Sequence, residues 1–145
     1  MKANLRAIGI DVQVQNLGDS GFVRMERRGA PFDMAVTGWL ADYPHAFDFL
    51  RQLDGRTIRA SANSDLAYFR DPDYNRRLDA AMGLTSPARE IALGRLAVDV
   101  ARTAAPMAAV ANNRSHDFFS PRIGCQRWNT LSGLDLGSLC IRSGS

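Results

Sequence analysis

Phe32-Asp33-Met34-Ala35-Val36-Thr37-Gly38-Trp39-Leu40-Ala41-Asp42-Tyr43-Pro44 is the stretch on which the fold turns. In its first half Phe32, Met34 and Val36 alternate with Asp33, Ala35 and Thr37, the period of two expected of a half-buried strand. Upstream, Ile10, Val12 and Val14 alternate in the same way with Asp11, Gln13 and Gln15. Between the two, Asp19 or Ser20 can cap a short helix that carries Phe22 and Met25 inward and that Gly29 ends. Strand, helix and strand in such a short span predict a compact βαβ unit, with a right-handed crossover and parallel strands. Leu5 and Ile8 precede it as the last turn of a helix closed by Gly9.

Downstream the pattern becomes helical. Residues 44–53 form a short helix with Phe47 and Leu50 on one side. Residues 51–69 are polar and irregular, with Asn63-Ser64 as a loop signal. Asp71-Pro72-Asp73 is a strong helix start: the first acid caps, the proline fits the first turn, and the second acid meets the positive helix end. Tyr74, Leu78 and Ala81 or Met82 share the face that follows. Ser86-Pro87 starts the next helix in the same way; Leu93, Leu96, Ala97, Val100 and Ala104 form its apolar stripe, and Arg95 and Asp99 can pair outside it. Residues 106–111 read as a buried strand. From Asn112 the helical period is lost, and the Gly/Ser/Asn-rich tail finds no partner strand upstream. The fold class is α/β.

Composition narrows the function classes. The 145 residues make about one domain, and 46% of them are hydrophobic, too many for intrinsic disorder. The longest apolar run, residues 104–111, is far short of the roughly 20 residues a membrane span needs. No apolar run follows Met1-Lys2-Ala3-Asn4, so no signal peptide is read there. The net charge of +3 is carried by arginines scattered along the chain. Arg27-Arg28 and Arg76-Arg77 are the adjacent pairs, each with an acid close by, which describes a solvated surface and not a nucleic-acid interface. Cys125 and Cys140 have neither CxxC spacing nor a nearby histidine pair. They could form a disulfide in an oxidising compartment, but the simpler expectation is two unrelated thiols.

The loop after the second expected strand carries the chemistry, because open α/β sheets bind ligands at the carboxyl ends of their strands. Gly38, Trp39, Asp42 and Tyr43 combine flexibility, flat apolar surface and a cation-seeking carboxylate. The plainer alternative is that Trp39 and Tyr43 pack the loop down while Asp42 caps the helix at Pro44. Catalytic patterns are weak: His45 and His116 fit no metal-spaced motif, and there is no G-x-S-x-G elbow, P-loop or GxGxxG. Asp42 and Asp48 lie six apart around a turn, with nothing in the sequence to set their pKa values apart.

The order of these signals is familiar. Leu5-Arg6-Ala7-Ile8-Gly9-Ile10-Asp11-Val12, Phe32-Asp33-Met34-Ala35, Gly38-Trp39-x-x-Asp42-Tyr43-Pro44, the helix start at Asp71-Pro72-Asp73, and Ala105-Pro106 before a strand together resemble the C-terminal part of the bacterial extracellular solute-binding proteins of family 5. These are the oligopeptide, dipeptide and nickel receptors that feed ABC importers. The resemblance runs from Leu5 to about Arg142, including the tail of Asp117-Phe118-Phe119-Ser120, Ile123-Gly124 and Leu134-Asp135-Leu136.

The resemblance implies a fragment of a two-lobed periplasmic-binding-protein fold, a mixed sheet with flanking helices plus an extended C-terminal tail. Residues 1–113 would be the latter part of the C-terminal lobe. Residues 114–145 would be the hinge crossing and a tail that completes the N-terminal lobe absent from this sequence. It implies a binding component without catalysis, capturing peptides or similar small solutes in a cleft between lobes and serving ABC importer membrane subunits. By the motif, Asp42 would hold a peptide α-amino group, with Trp39, Leu40, Ala41 and Tyr43 beside it. No cofactor, metal or nucleic acid is implied. The full-length family is periplasmic, or an extracytoplasmic lipoprotein. His45-Ala46 departs from the family's frequent Asp-Pro, and Cys125 stands where such tails often have glycine. The alternative is a small α/β hydrolase-like enzyme using Asp42 and His45, which His45→Ala would inactivate.

Overall fold

The structure is a computed structural model and describes residues 1–112, 114 and 116–142, the side chain of residue 19 excepted. Five helices come first: α1 (Lys2–Ala7), α2 (Gly18–Met25), α3 (Phe47–Leu50), α4 (Pro72–Met82) and α5 (Ala88–Thr103). Short 3-10 turns follow α3 at Arg51–Leu53 and Gly55–Thr57. The tail holds β1 (Ile123–Gly124), β2 (Trp128–Asn129), β3 (Gly133–Leu134) and β4 (Cys140–Ile141). β1 pairs antiparallel with β4, and β2 with β3. The chain is thus a small mixed α/β chain, with helices and two antiparallel two-stranded sheets. The expected division after residue 113 falls on a residue outside those described.

The core is helical. Leu50 and Leu53 from the α3 region, Tyr74, Leu78 and Ala81 from α4, and Leu93, Leu96 and Val100 from α5 form one buried cluster, with Phe47, Phe69, Met82, Ala92 and Ala97 against it. The apolar positions of α4 and α5 recur at helical spacing, so each helix turns one stripe to the other. Asp71 caps α4 as expected, accepting from the amides of Asp73 and Tyr74. Ser86 does not cap α5, which starts at Ala88 with Pro87 before it and no side-chain cap. Asp99 pairs with Arg77 of α4 at 2.5 Å, not with Arg95, so that pair links the two helices. The Tyr74 hydroxyl donates to the carbonyl of Leu50 at 2.7 Å and ties α4 to α3.

The irregular stretch between α3 and α4 is held by buried polar side chains. Asp65 accepts from the amides of Ala67 and Phe69 at 3.0 and 2.8 Å. Burial pushes its carboxyl pKa up, against the opposing pull of those amides. Asn63 accepts from the Arg59 amide and donates to the Glu26 carbonyl, both at 2.7 Å. Tyr68 donates to the Met25 carbonyl at 2.9 Å. These bonds dock the C-terminal end of α2 on the loop. The Arg56 guanidinium grips both Asp54 and Asp79. Gly55 is required beside it, because a Cβ there would sit 2.8 Å from the carbonyl oxygen of Phe69.

The expected βαβ unit does not form. Helix α2 is present and Gly29, at φ +82°, ends the turn after it, but residues 10–14 and 32–36 are in no strand. Helix α2 begins at Gly18 after Leu17, without a side-chain cap, and Phe22 is exposed. Residues 106–111 are also in no strand, and Met107 and Val110 face solvent. The reason is shared: alternation prepares a face, but a strand needs a neighbour for its amides and carbonyls, and parallel strands need cover on both faces. Helices α4 and α5 turn their apolar stripes to each other and to the α3 region, and among the described residues none of these segments has a strand partner. Among the described residues, no helix is long and apolar enough to cross a membrane.

The tail pairs with itself, which the sequence did not suggest. Cys125 and Cys140 form a disulfide, not two separate thiols. They close a loop over a separation of 15 residues that contains the β2–β3 hairpin. The ends of that loop pair as β1 and β4, which brings the two sulfurs within reach. Closing a loop of about 15 residues stabilises a folded segment by about 3 kcal/mol. Reduction should therefore expose to hydrogen exchange the Arg142 amide, which donates to the Arg122 carbonyl at 2.8 Å. The buried apolar cluster lies between Leu50 and Val100, so core stability should change by less than about 0.5 kcal/mol. Retained Arg142 protection after reduction would contradict this.

Candidate functional site

The loop singled out from the sequence folds around a residue that was not. Asp48, in the first turn of α3, is completely buried. Its Oδ2 accepts from the Trp39 indole at 2.9 Å and from the Asp42 backbone amide at 3.0 Å. Its Oδ1 lies 3.3 Å from Arg51 Nε as an ion pair, and neither of these buried atoms makes a hydrogen bond among the described residues. The Trp39 indole, with the Asp42 amide and the Arg51 guanidinium, outweighs burial and holds the Asp48 carboxyl below the usual carboxylate range. One buried anion thus gathers a side chain from nine residues upstream, a loop amide and a cation from the next turn.

Asp42 is brought to the same place from outside. Its Oδ2 accepts from Arg51 Nη2 at 2.9 Å, and its side chain is 59% exposed against 41% for Arg51. The Arg51 guanidinium carbon lies 5.9 Å from the Trp39 ring centroid, within cation–π range. The counter-charge expected from a ligand ammonium is therefore already supplied in part by the chain itself. Trp39, Leu40 and Tyr43 are exposed around Asp42, and Ala41 is half-buried.

Asp42 does not cap a helix at Pro44: α3 starts at Phe47 after Ala46, without an acid cap. His45 takes that task, its Nδ1 accepting from the Phe47 amide at 3.1 Å. Its Nε2 lies 3.4 Å from Glu90 Oε1 on α5, and its ring stands 6.4 Å from that of Tyr43. Asp42 and His45 are engaged with different partners and make no hydrogen bond to each other among the described residues. His116 lies in the tail, away from this loop in sequence.

Sequence reasoning set Asp48 aside as an acid six positions from Asp42 and passed over Arg51. Their signal was present as an acid and a base three apart in a helical segment, a spacing that places them on one face. An i,i+3 pair is common on solvated surfaces, so spacing alone carries no sign of burial. No protein-family model, curated protein or solved structure matches this chain.

Proposed function

We propose that the chain is part of the substrate-binding component of an ABC importer, capturing peptides or similar small solutes between two lobes. In this reading the chain supplies the latter part of the C-terminal lobe, and the tail from about Arg114 crosses to a companion N-terminal lobe. The task is binding and not catalysis, at the extracytoplasmic face of the importer's membrane subunits. The observation that carries the reading is the loop held by Asp48: a half-exposed carboxylate, Asp42, in a loop that also exposes Trp39 and Tyr43. A carboxylate presented this way is suited to an ammonium group, and lobe closure would remove both from water.

Two further observations are in keeping with it. Residues 10–14, 32–36 and 107–110 present Ile10, Val14, Met34, Val36, Met107 and Val110 to solvent, and a companion lobe and its strands would cover such surface. The Cys125–Cys140 disulfide suits an oxidising compartment.

The test is a thermal-shift and calorimetric screen of peptides on this chain joined to the N-terminal lobe of a family 5 receptor. Peptides should stabilise the joined protein. Asp42→Asn should weaken their binding by about 2–5 kcal/mol, the usual cost of removing one partner of a buried charge pair. Equal affinity of the Asn variant would remove Asp42 as the amine anchor.

A further inference from the structure

We infer that Arg51 is a specificity-determining residue of this site, and that with Asp42 it reads an ammonium and a neighbouring carbonyl oxygen together: the α-ammonium-acyl unit at the start of a peptide. The inference rests on the binding reading above, which already gives the ammonium to Asp42, and adds Arg51 as the donor to the neighbouring carbonyl.

The geometry carries it. Asp42 Oδ2 and Arg51 Nη2 meet at 2.9 Å, so an acceptor and a donor stand side by side at the surface. Asp42 Oδ1 and Arg51 Nη1 have no hydrogen-bond partner among the described residues. The pair therefore keeps one acceptor and donor hydrogens uncommitted, on side chains that are 59% and 41% exposed. An α-ammonium-acyl group offers the reverse order, donors on nitrogen and an acceptor oxygen on the next carbon but one. It can lie along the pair without displacing it.

Charge arithmetic agrees. Asp42 and Asp48 set two negative charges against the single positive charge of Arg51. The cluster thus keeps one net negative charge, which a ligand with one ammonium neutralises. Arg51 is also held in place: Asp48 Oδ1 stands at its Nε, and the Trp39 ring lies beside its guanidinium. A guanidinium fixed on one edge loses little freedom when its other edge takes a carbonyl. Trp39 and Tyr43 then offer apolar surface to the first side chain of the ligand.

The test uses the full chain and three probes that share one phenyl ring at pH 6, where an α-amine is protonated. L-phenylalaninamide has the ammonium, the carbonyl and the ring. 2-Phenylethylamine lacks the carbonyl, and N-acetyl-L-phenylalaninamide lacks the ammonium. The Trp39 indole N–H and the Asp42 backbone amide report binding in 15N–1H spectra, even at millimolar affinity. L-phenylalaninamide should bind about tenfold more tightly than 2-phenylethylamine, the worth of one charge-assisted hydrogen bond. The acetylated probe should bind weakest. Arg51→Met should bring the two amines together while both still bind, and Arg51→Lys, which keeps the charge without the fork, should narrow the gap.

Equal binding of the two amines to the wild type, or an undiminished tenfold gap in Arg51→Met, overturns the role of Arg51. Failure of both amines to move the two resonances, or equally tight binding of the acetylated probe, overturns the amine-anchor reading as well. If Arg51→Met does not fold, the wild-type comparison and Arg51→Lys decide the matter.

Discussion

Asp48→Ala should lower the melting temperature of the protein by about 10 °C or more, because it leaves buried donors unpaired around an empty anion site. The Trp39 indole, the Asp42 amide and Arg51 Nε lose a partner together. In 15N–1H spectra the Trp39 indole and the Asp42 amide should move to the positions of solvent-exposed groups. Asp48→Asn should do less harm, since its oxygen can still accept from Trp39 or Asp42, but it loses the charge that holds Arg51. The effect depends on pH in a direction set by the Asp48 pKa. That pKa lies lower in the folded protein than in the unfolded chain, where it is near 3.8. The stabilisation is therefore complete well above 3.8 and is lost as pH falls through the folded value. Wild type and Asp48→Ala should differ most near neutral pH and converge in strong acid. A difference that grows on acidification would contradict the charge-based account.

Leu93→Ala should cost about 2–5 kcal/mol, the range for removing a fully buried leucine side chain from a packed core. Leu93 has no exposed surface and sits among residues of α3, α4 and α5. Val14→Ala and Val36→Ala should each change stability by less than about 0.5 kcal/mol, because these side chains are 72% and 71% exposed. Chemical denaturation of the three variants separates a helical core from a sheet-based one. If Val14→Ala or Val36→Ala cost as much as Leu93→Ala, the alternating segments would be packed and the core described above would be wrong. In a protein joined to a companion lobe, the proposed function expects the valine variants to become costly while Leu93→Ala stays so.

What could be read from the sequence was local or helical. The Asp71 cap works within three residues of itself, so its oxygen meets the amides of Asp73 and Tyr74 whatever the rest of the chain does. Of the stripe that helical spacing predicts, Leu93, Leu96, Ala97 and Val100 are buried or half-buried, whereas Ala104 falls past the end of α5 and is exposed. The loop of Trp39, Asp42 and Tyr43 was also visible, as an acid among aromatics ahead of a proline.

Pairing between distant residues was decided elsewhere. Residues 10–14 and 32–36 carry a strand's alternation, yet alternation names no partner, and these segments remain without a ladder. Cys125 and Cys140 give no spacing signal, and they meet because β1 and β4 pair around the hairpin between them. Asp48 looks like one acid of an ordinary surface turn until packing removes its water and leaves Trp39, Asp42 and Arg51 as its partners. The sequence by itself determined the helices, the Asp71 cap and the residues of the loop, because those depend on contacts a few positions apart. Only the tertiary structure decided which carboxylate is buried, which is presented and which cysteines join, because burial and charge pairing depend on neighbours that the chain brings from far away.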